Sequence, residues 1–459
     1  MKPFILFALT LFISLPLAAA DVWKAGVAST VITPEKPMWM AGYGSRKTPA
    51  EGKRTDLFAK ALILEDRDAN RALIVTLDLV GIDRTFSKDV CDALKENFQL
   101  ERNQIALCTS HTHSGPVVGK NLAPLHFYNV DPTQQALIDE YAITLKQQIV
   151  TTVGQAIDSL APALVQTGSG KATFAVNRRN NTPYALVPEK RLKGQLVGPV
   201  DHDVPVLTVR NPVTTDNESA GALRAILFGY ACHATVLSLS EWNGDYPGYA
   251  QSELEKNHPG ATALFWAGCG GDQNPLPRKT IPLAEKYGKE LAESVSDVIK
   301  APMPALPSTI ASVYQEIEAP LAELPTRETI ANNLTSTNRF EVARARMLKR
   351  EMEKKGALDG SYPFPIGYWN LGGEIDFFFL GGEVVVDYAL RLKREHSNAN
   401  TWVSAYANDV MAYIPSHRVL LEGGYEGGGS NVYYGLPTLW AESIEETIIE
   451  EATKLKQAH

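Results

Sequence analysis

The chain reads as an α/β fold, mixed β-sheets flanked by helices within one large domain. Three observations carry this expectation. Short apolar runs alternate with stretches of helical periodicity along most of the chain. The 459 residues have an ordinary globular composition, 44% hydrophobic and 21% charged, with no low-complexity tract. No internal repeat is visible.

Residues 1–20 read as a secretory leader, with Lys2 near the start, an apolar core from Phe4 to Leu17, and Ala18-Ala19-Ala20 before the expected new terminus at Asp21. That core is too short for a membrane span, and the later run Phe377-Phe378-Phe379-Leu380 is broken by Gly381-Gly382-Glu383. An exported protein, secreted or periplasmic and without a transmembrane segment, is expected.

Residues 60–65 and 72–80 read as apolar strands joined by the turn at 66–70, followed by an amphipathic helix near 85–98 and a strand at 105–110. Pro132 and Thr133 open a long helix in which Leu137, Tyr141, Leu145 and Ile149 recur every fourth residue. Strands are expected near 164–176, 205–209 and 223–235, the last carrying His233. Another, 263–267, runs into the glycine-rich turn 268–275 and then a helix over 283–299. Residues 308–318 alternate like a half-buried strand, and 327–355 read as one charged, exposed helix. After Pro363 and Pro365 a strand pair ends at Leu380, and Gly381-Gly382-Glu383 precede a helix over 384–393. A strand at 401–406, a glycine-rich loop at 422–429 and a helix over 439–455 complete the chain.

The net charge of −8, without a basic run, lacks the electrostatic footprint of a nucleic-acid binder. Four cysteines, Cys91, Cys108, Cys232 and Cys269, allow up to two disulfides, with Cys91–Cys108 one possible pair; buried free thiols are the expected state. The serine-hydrolase G-x-S-x-G elbow, the zincin H-E-x-x-H and the phosphate-binding G-x-x-x-x-G-K-[ST] are all missing.

The most informative stretch is His111-Thr112-His113-Ser114-Gly115-Pro116. Side chains two apart on a strand share a face, so both imidazoles could address one metal ion; two histidines merely capping a strand are the alternative. His111, His233, Asp272 and Glu383 all fall near predicted strand ends, where α/β folds gather function. Cys232, next to His233, would face the other way on a strand and so share no ligand role. Asp245 and Asp272 sit in glycine turns and read as structural, with support of a metal ligand the functional alternative for Asp272.

A wider set of residues resembles the neutral/alkaline non-lysosomal ceramidase family. It comprises Ala25-Gly26-Val27-Ala28 with Thr33-Pro34 and Ala41-Gly42-Tyr43, the block from Thr109 to Pro116, Asn177-Arg178, Cys232-His233 and the block from Gly244 to Ala250. Gly382-Glu383, the stretch from Asn408 to Tyr413 and Glu422 to Gly427 complete it. The resemblance implies a single large catalytic domain over residues 21–459 and one zinc ion (Zn2+) held by His111, His233, Glu383 and Tyr413. It places His113, Arg178 and Tyr425 at the reaction centre and implies cleavage of the amide bond of N-acyl sphingoid lipids. Two departures stand out: Asn274 occupies the place of the family's serine in Gly271-Asp272-Gln273-Asn274-Pro275, and the chain ends at His459 without the family's C-terminal β-sandwich.

From the residues alone, Glu383 also reads as a carboxylate favoured at a helix N-terminus, Tyr413 as a buried aromatic, and Arg179 as a rival to Arg178. The chemistry expected of the set is attack of metal-activated water on a carbonyl, with no serine required. Arg178 and Tyr425 would stabilise the oxyanion, and His113 would carry the proton to the leaving amine. The expected partner is a small-molecule or lipid substrate, an N-acyl lipid or related acylated amine. The competing expectations are an ester, lactone or acylated carbohydrate as substrate, or a non-catalytic binding protein in which zinc serves only stability. A long apolar tunnel above the metal would favour lipid, and a shallow polar cleft carbohydrate.

Overall fold

The computed structural model describes residues 22–212, 221–396 and 400–458; the expected leader lies outside them. The larger sheet has eight strands in the order Thr262–Ala267, Leu223–Tyr230, Asp203–Arg210, Ala161–Lys171, Trp23–Val31, Phe58–Glu65, Arg71–Leu77 and Ile105–Thr109. Its outermost pair on each edge is parallel and the pairs between are antiparallel. A second sheet runs Ile310–Pro320, Ser361–Leu371, Ile375–Leu380 and Asn400–Ser404, its last pair parallel. These are the mixed sheets the sequence predicts.

Strand alternation builds the layers. Leu62, Leu64, Ile74, Leu207 and Trp266 of the large sheet meet Trp369, Phe377, Phe379 and Trp402 of the small one. The intervening Ala61, Ile63, Leu73 and Val75 point the other way, into a core shared with the helices Arg84–Phe98 and Pro132–Asp158. Strands buried on both faces read as continuous apolar runs, which is how they appear in the sequence. Helices Asp245–Asn257 and Ile281–Lys300 cover the other half of that outer face, while Val386–Glu395 and Ile444–Gln457 cover the small sheet. The result is a four-layer α/β/β/α stack. The long helix starts where Pro132 predicts, with Asp131 accepting from Thr133 N and Gln134 N. Among the described residues no helix is long and apolar enough to cross a membrane.

The large sheet curls until its two edges touch, Thr262–Ala267 packing against Ile105–Thr109. The segment after Asn400–Ser404 is wedged between them. Ala405 N donates to Ala267 O (3.0 Å), Asn408 N to Leu107 O (2.7 Å), and Asn408 Oδ1 accepts from Leu107 N (3.1 Å). The same segment reaches the small sheet through Tyr406 N to Gly382 O (3.0 Å). Edges far apart in strand order thus deliver their C-terminal loops to one place.

Several expected elements differ. The strand at 105–110 ends at Thr109 and that at 223–235 at Tyr230, so His111, His113 and His233 lie in loops. The stretch 164–176 divides into Ala161–Lys171 and Ala175–Asn177, which belong to different sheets. The single helix expected over 327–355 is two, Arg327–Asn333 and Arg339–Lys355, because Asn338 caps the second through Phe340 N. One side of that pair is not exposed: Ile330, Ala345 and Leu348 pack with Leu358. Pro363 and Pro365 lie inside a strand, in the part that pairs with Ile310–Pro320 only. The last helix begins at Ile444, and that after Glu383 at Val386. All four cysteines are buried and free, as expected.

Candidate metal centre

His111 stands two residues beyond its strand with φ +59, a left-handed conformation costly for a side chain with a Cβ. That turn, not strand alternation, brings His111 and His113 together: their Nε2 atoms are 3.0 Å apart. Tyr406 lies over the His111 ring at 4.3 Å between centroids. Gly42 backs His113; with φ +92, a Cβ there would come within 2.4 Å of His113 Cγ, so only glycine fits. Arg46 donates to His113 O (2.7 Å).

His233 arrives from the opposite edge. Its backbone N donates to Gln273 O (3.0 Å), tying it to the glycine-rich turn. Ligand-capable nitrogens of His111, His113 and His233 all lie within 4.8 Å of one another, a group able to hold a metal ion. Glu383 comes from the small sheet. Gly382, at φ +77, makes the turn before it, and Glu383 sits directly opposite Tyr413 in a short parallel pair with Tyr413–Ile414. Its Oε2 is 3.1 Å from His111 Nε2 and 3.0 Å from His233 Nε2, and Tyr413 Oη is 3.1 Å from His233 Nε2. The four expected ligands therefore do converge, all buried.

The polar contacts test whether a cation fits. His111 Nδ1 faces Val80 O and His233 Nδ1 faces Gly270 O, each at 2.6 Å. A carbonyl only accepts, so each Nδ1 carries the proton and each Nε2 presents a lone pair. These lone pairs point at a buried carboxylate oxygen that has no hydrogen-bond partner, Glu383 Oε2. Acceptors facing acceptors in a buried space need a positive charge between them. Burial, then the Arg178 charge, pushes the His233 imidazole down to about 4, so it is neutral and free to ligate. Burial, reinforced by Glu383, raises the Tyr413 phenol. The donor set fits a divalent metal.

Arg178 follows the strand Ala175–Asn177, whose pairing with Gln273–Pro275 aims it at the centre. Its Nη2 donates to Tyr413 Oη (3.1 Å), its Nη1 to Asn274 Oδ1 (3.3 Å), and its Nε to Glu426 (2.6 Å). Arg179 turns outward to Glu422 and Glu426, so Arg178 is the arginine at the site. Tyr425 stands at the mouth, 47% exposed, its ring 5.3 Å from that of Tyr413. Asp272 touches none of the histidines; it accepts from Asn177, Gln273 and Val386 N and so braces the turn that holds His233. Asp245 accepts from Val236, Leu237 and Tyr246 backbone N–H groups, a structural role as expected.

Three contacting residues are given no role by the sequence, although Glu426 falls within the resembling stretch Glu422 to Gly427. Tyr434 Oη donates to Glu383 Oε1, Tyr406 covers His111, and Glu426 clamps both arginines. The cluster of tyrosines and glycines over 425–434 was the only hint of the first. The cleft before the site, about 440 Å³, is lined by Arg178, Asn274, Arg278, Glu426, Tyr184 and Tyr425 among others, with no aliphatic side chain. Of the two expected shapes it is the polar one.

A family model described as neutral/alkaline non-lysosomal ceramidase, N-terminal, matches residues 23–274. The neutral ceramidase of Pseudomonas aeruginosa is 26% identical over 280 residues, 58% of this chain but 39% of that protein. That of Drosophila pseudoobscura pseudoobscura is 26% identical over 271 residues, 56% of this chain and 36% of its own. The alignments thus span well under two thirds of these relatives. In fold, the crystal structure of neutral ceramidase from Pseudomonas aeruginosa superposes with a TM-score of 0.69 at 18% identity, covering 95% of this chain and 75% of that one. With the family model matching more than half of its residues, this chain belongs to the neutral/alkaline non-lysosomal ceramidase family.

Proposed function

We propose that this protein is a zinc-dependent hydrolase that cleaves the amide bond of an N-acyl lipid or related acylated amine. The single observation that carries the reading is the meeting of two imidazole lone pairs with the unpartnered Glu383 Oε2. His111, His233, Glu383 and Tyr413 would hold the ion; a mixed nitrogen and oxygen set of this kind suits zinc at a catalytic centre, whereas structural zinc sites are usually thiolate-rich. When bound, such an ion lowers the pKa of its water toward ≈7 and polarises a carbonyl.

The chain's own groups supply the rest. Arg178 stays charged in its buried place, because Tyr413 and Glu426 outweigh the cost of burial, and presents N–H donors to a developing oxyanion. Tyr425 adds a phenol from the mouth. Burial keeps His113 neutral, so it can accept a proton and return it to the departing amine. Asn274, bonded to Arg178, stands where the family's serine would be, and hydrolysis by this route needs no hydroxyl there.

The polar cleft favours a second reading for the bond cleaved, an ester or acylated carbohydrate. Each methylene left in such a polar setting forfeits about 0.8 kcal/mol relative to an apolar one, so a two-chain lipid gains little there. The leader-like residues 1–20 support export, secreted or periplasmic.

Elemental analysis, then chelation and zinc add-back during hydrolysis of matched N-acyl amines, esters and acylated sugars, tests these readings together. Amide turnover restored only by metal is expected. Protein that is pure, active and metal-free would overturn the proposal, and turnover of esters or sugars alone would replace the amide with the second reading.

A further inference from the structure

The cleft carries more positive charge than its carboxylates balance. Arg178 and Arg179 both pair with Glu426 at 2.6 Å, and Arg179 also with Glu422 at 3.0 Å. Arg278 lines the same cleft, half-buried beside Asn274, Thr182 and Tyr184. Among the described residues it makes no ion pair, and its side-chain bond to Thr235 O is long, at 3.4 Å. It lines the cleft together with Arg178 and Asn274, which meet at the centre.

The backbone around Arg278 is held on both sides. Lys279 N donates to Val236 O (2.6 Å), Tyr287 Oη to Pro277 O (2.7 Å), and Arg191 Nη2 to Leu276 O (3.3 Å). A guanidinium on a fixed stretch of chain, lining a cleft and with no carboxylate at ion-pair distance among the described residues, is suited to a planar oxyanion, which it can bind through two parallel N–H bonds. The cleft offers no aliphatic side chain to an acyl chain, which leaves it to the polar amine portion of an acylated amine.

We propose that Arg278 is a specificity-determining residue that binds a carboxylate carried on the amine portion of the substrate, making N-acylated amino acids the favoured class. This rests on the amide-hydrolase reading above and narrows its substrate.

Calorimetric binding of N-dodecanoylglycine and the neutral N-dodecanoylethanolamine to the full chain, with and without zinc, tests it. The glycine conjugate should bind roughly tenfold more tightly at low salt. Arg278→Gln should remove that preference while leaving affinity for the neutral compound within about twofold, and Arg278→Lys should retain part of it. Equal affinities, a preference that survives Arg278→Gln, or failure of the glycine conjugate to bind each overturns the proposal. Hydrolysis is scored separately. An Arg278-dependent preference without cleavage of either amide would leave the anion site standing and sink the amidohydrolase reading; cleavage of both without preference would do the reverse.

Discussion

Glu426 is the most exacting place to perturb the site without touching a candidate ligand. It accepts from Arg178 Nε and from Arg179 Nη1, both at 2.6 Å, and the three side chains are only 5%, 12% and 11% exposed. An exposed ion pair contributes about 0–1 kcal/mol, whereas removing one partner of a buried pair costs about 3–5 kcal/mol, because the remaining charge is left without compensation. Here two guanidiniums would be stranded, although Arg179 keeps Glu422 at 3.0 Å. Glu426→Gln should therefore lower the unfolding free energy by about 3 kcal/mol, the lower end of that range. It should also reduce turnover by about 10²–10³, since Arg178 loses the anchor that aims it at Tyr413 and Asn274. Urea unfolding gives the first figure, and steady-state hydrolysis by the zinc-loaded protein gives the second. A stability change below about 0.5 kcal/mol, or full activity, would show that the clamp neither supports the fold nor positions Arg178.

Two further outcomes are expected. Tyr434→Phe removes the phenol that donates to Glu383 Oε1 and should weaken metal affinity about 10–100-fold, measured by competition with a chromophoric chelator; unchanged affinity would refute a role in holding the ligand. Burial raises the Asp409 carboxyl to about 8. Its contribution to stability is thus fully present below pH 4 and lost as pH rises toward 8, at about 1.4 kcal/mol per pH unit. Asp409→Asn keeps an acceptor for Tyr362 and should flatten that slope in unfolding measured from pH 4 to 8.

Much of this was legible residue by residue. The doubly buried strands announced themselves as apolar runs, and Pro132 and Thr133 marked the start of the longest helix, because these signals act within a few neighbouring residues. The ligand candidates were recognisable as types in a pattern: His111 and His233 each near an expected strand end, Glu383 after a glycine turn. The geometry that unites them was not. His111 and His113 looked like neighbours on a strand face, yet a left-handed residue in a loop sets their approach.

Chain chemistry laid down in advance which groups were available: two imidazoles, a carboxylate, a phenol and an arginine, with the apolar periodicity to build two sheets. Their meeting depended on the curl of the large sheet, which lets residues 404–408 stitch its two edges to each other and to the turn before Glu383. Edge-to-edge contact of this sort arises from strand twist summed over eight strands and from packing between layers, quantities that no local stretch of sequence contains. For the same reason Tyr434, Tyr406, Glu426 and the unbalanced Arg278 became visible only as neighbours in space.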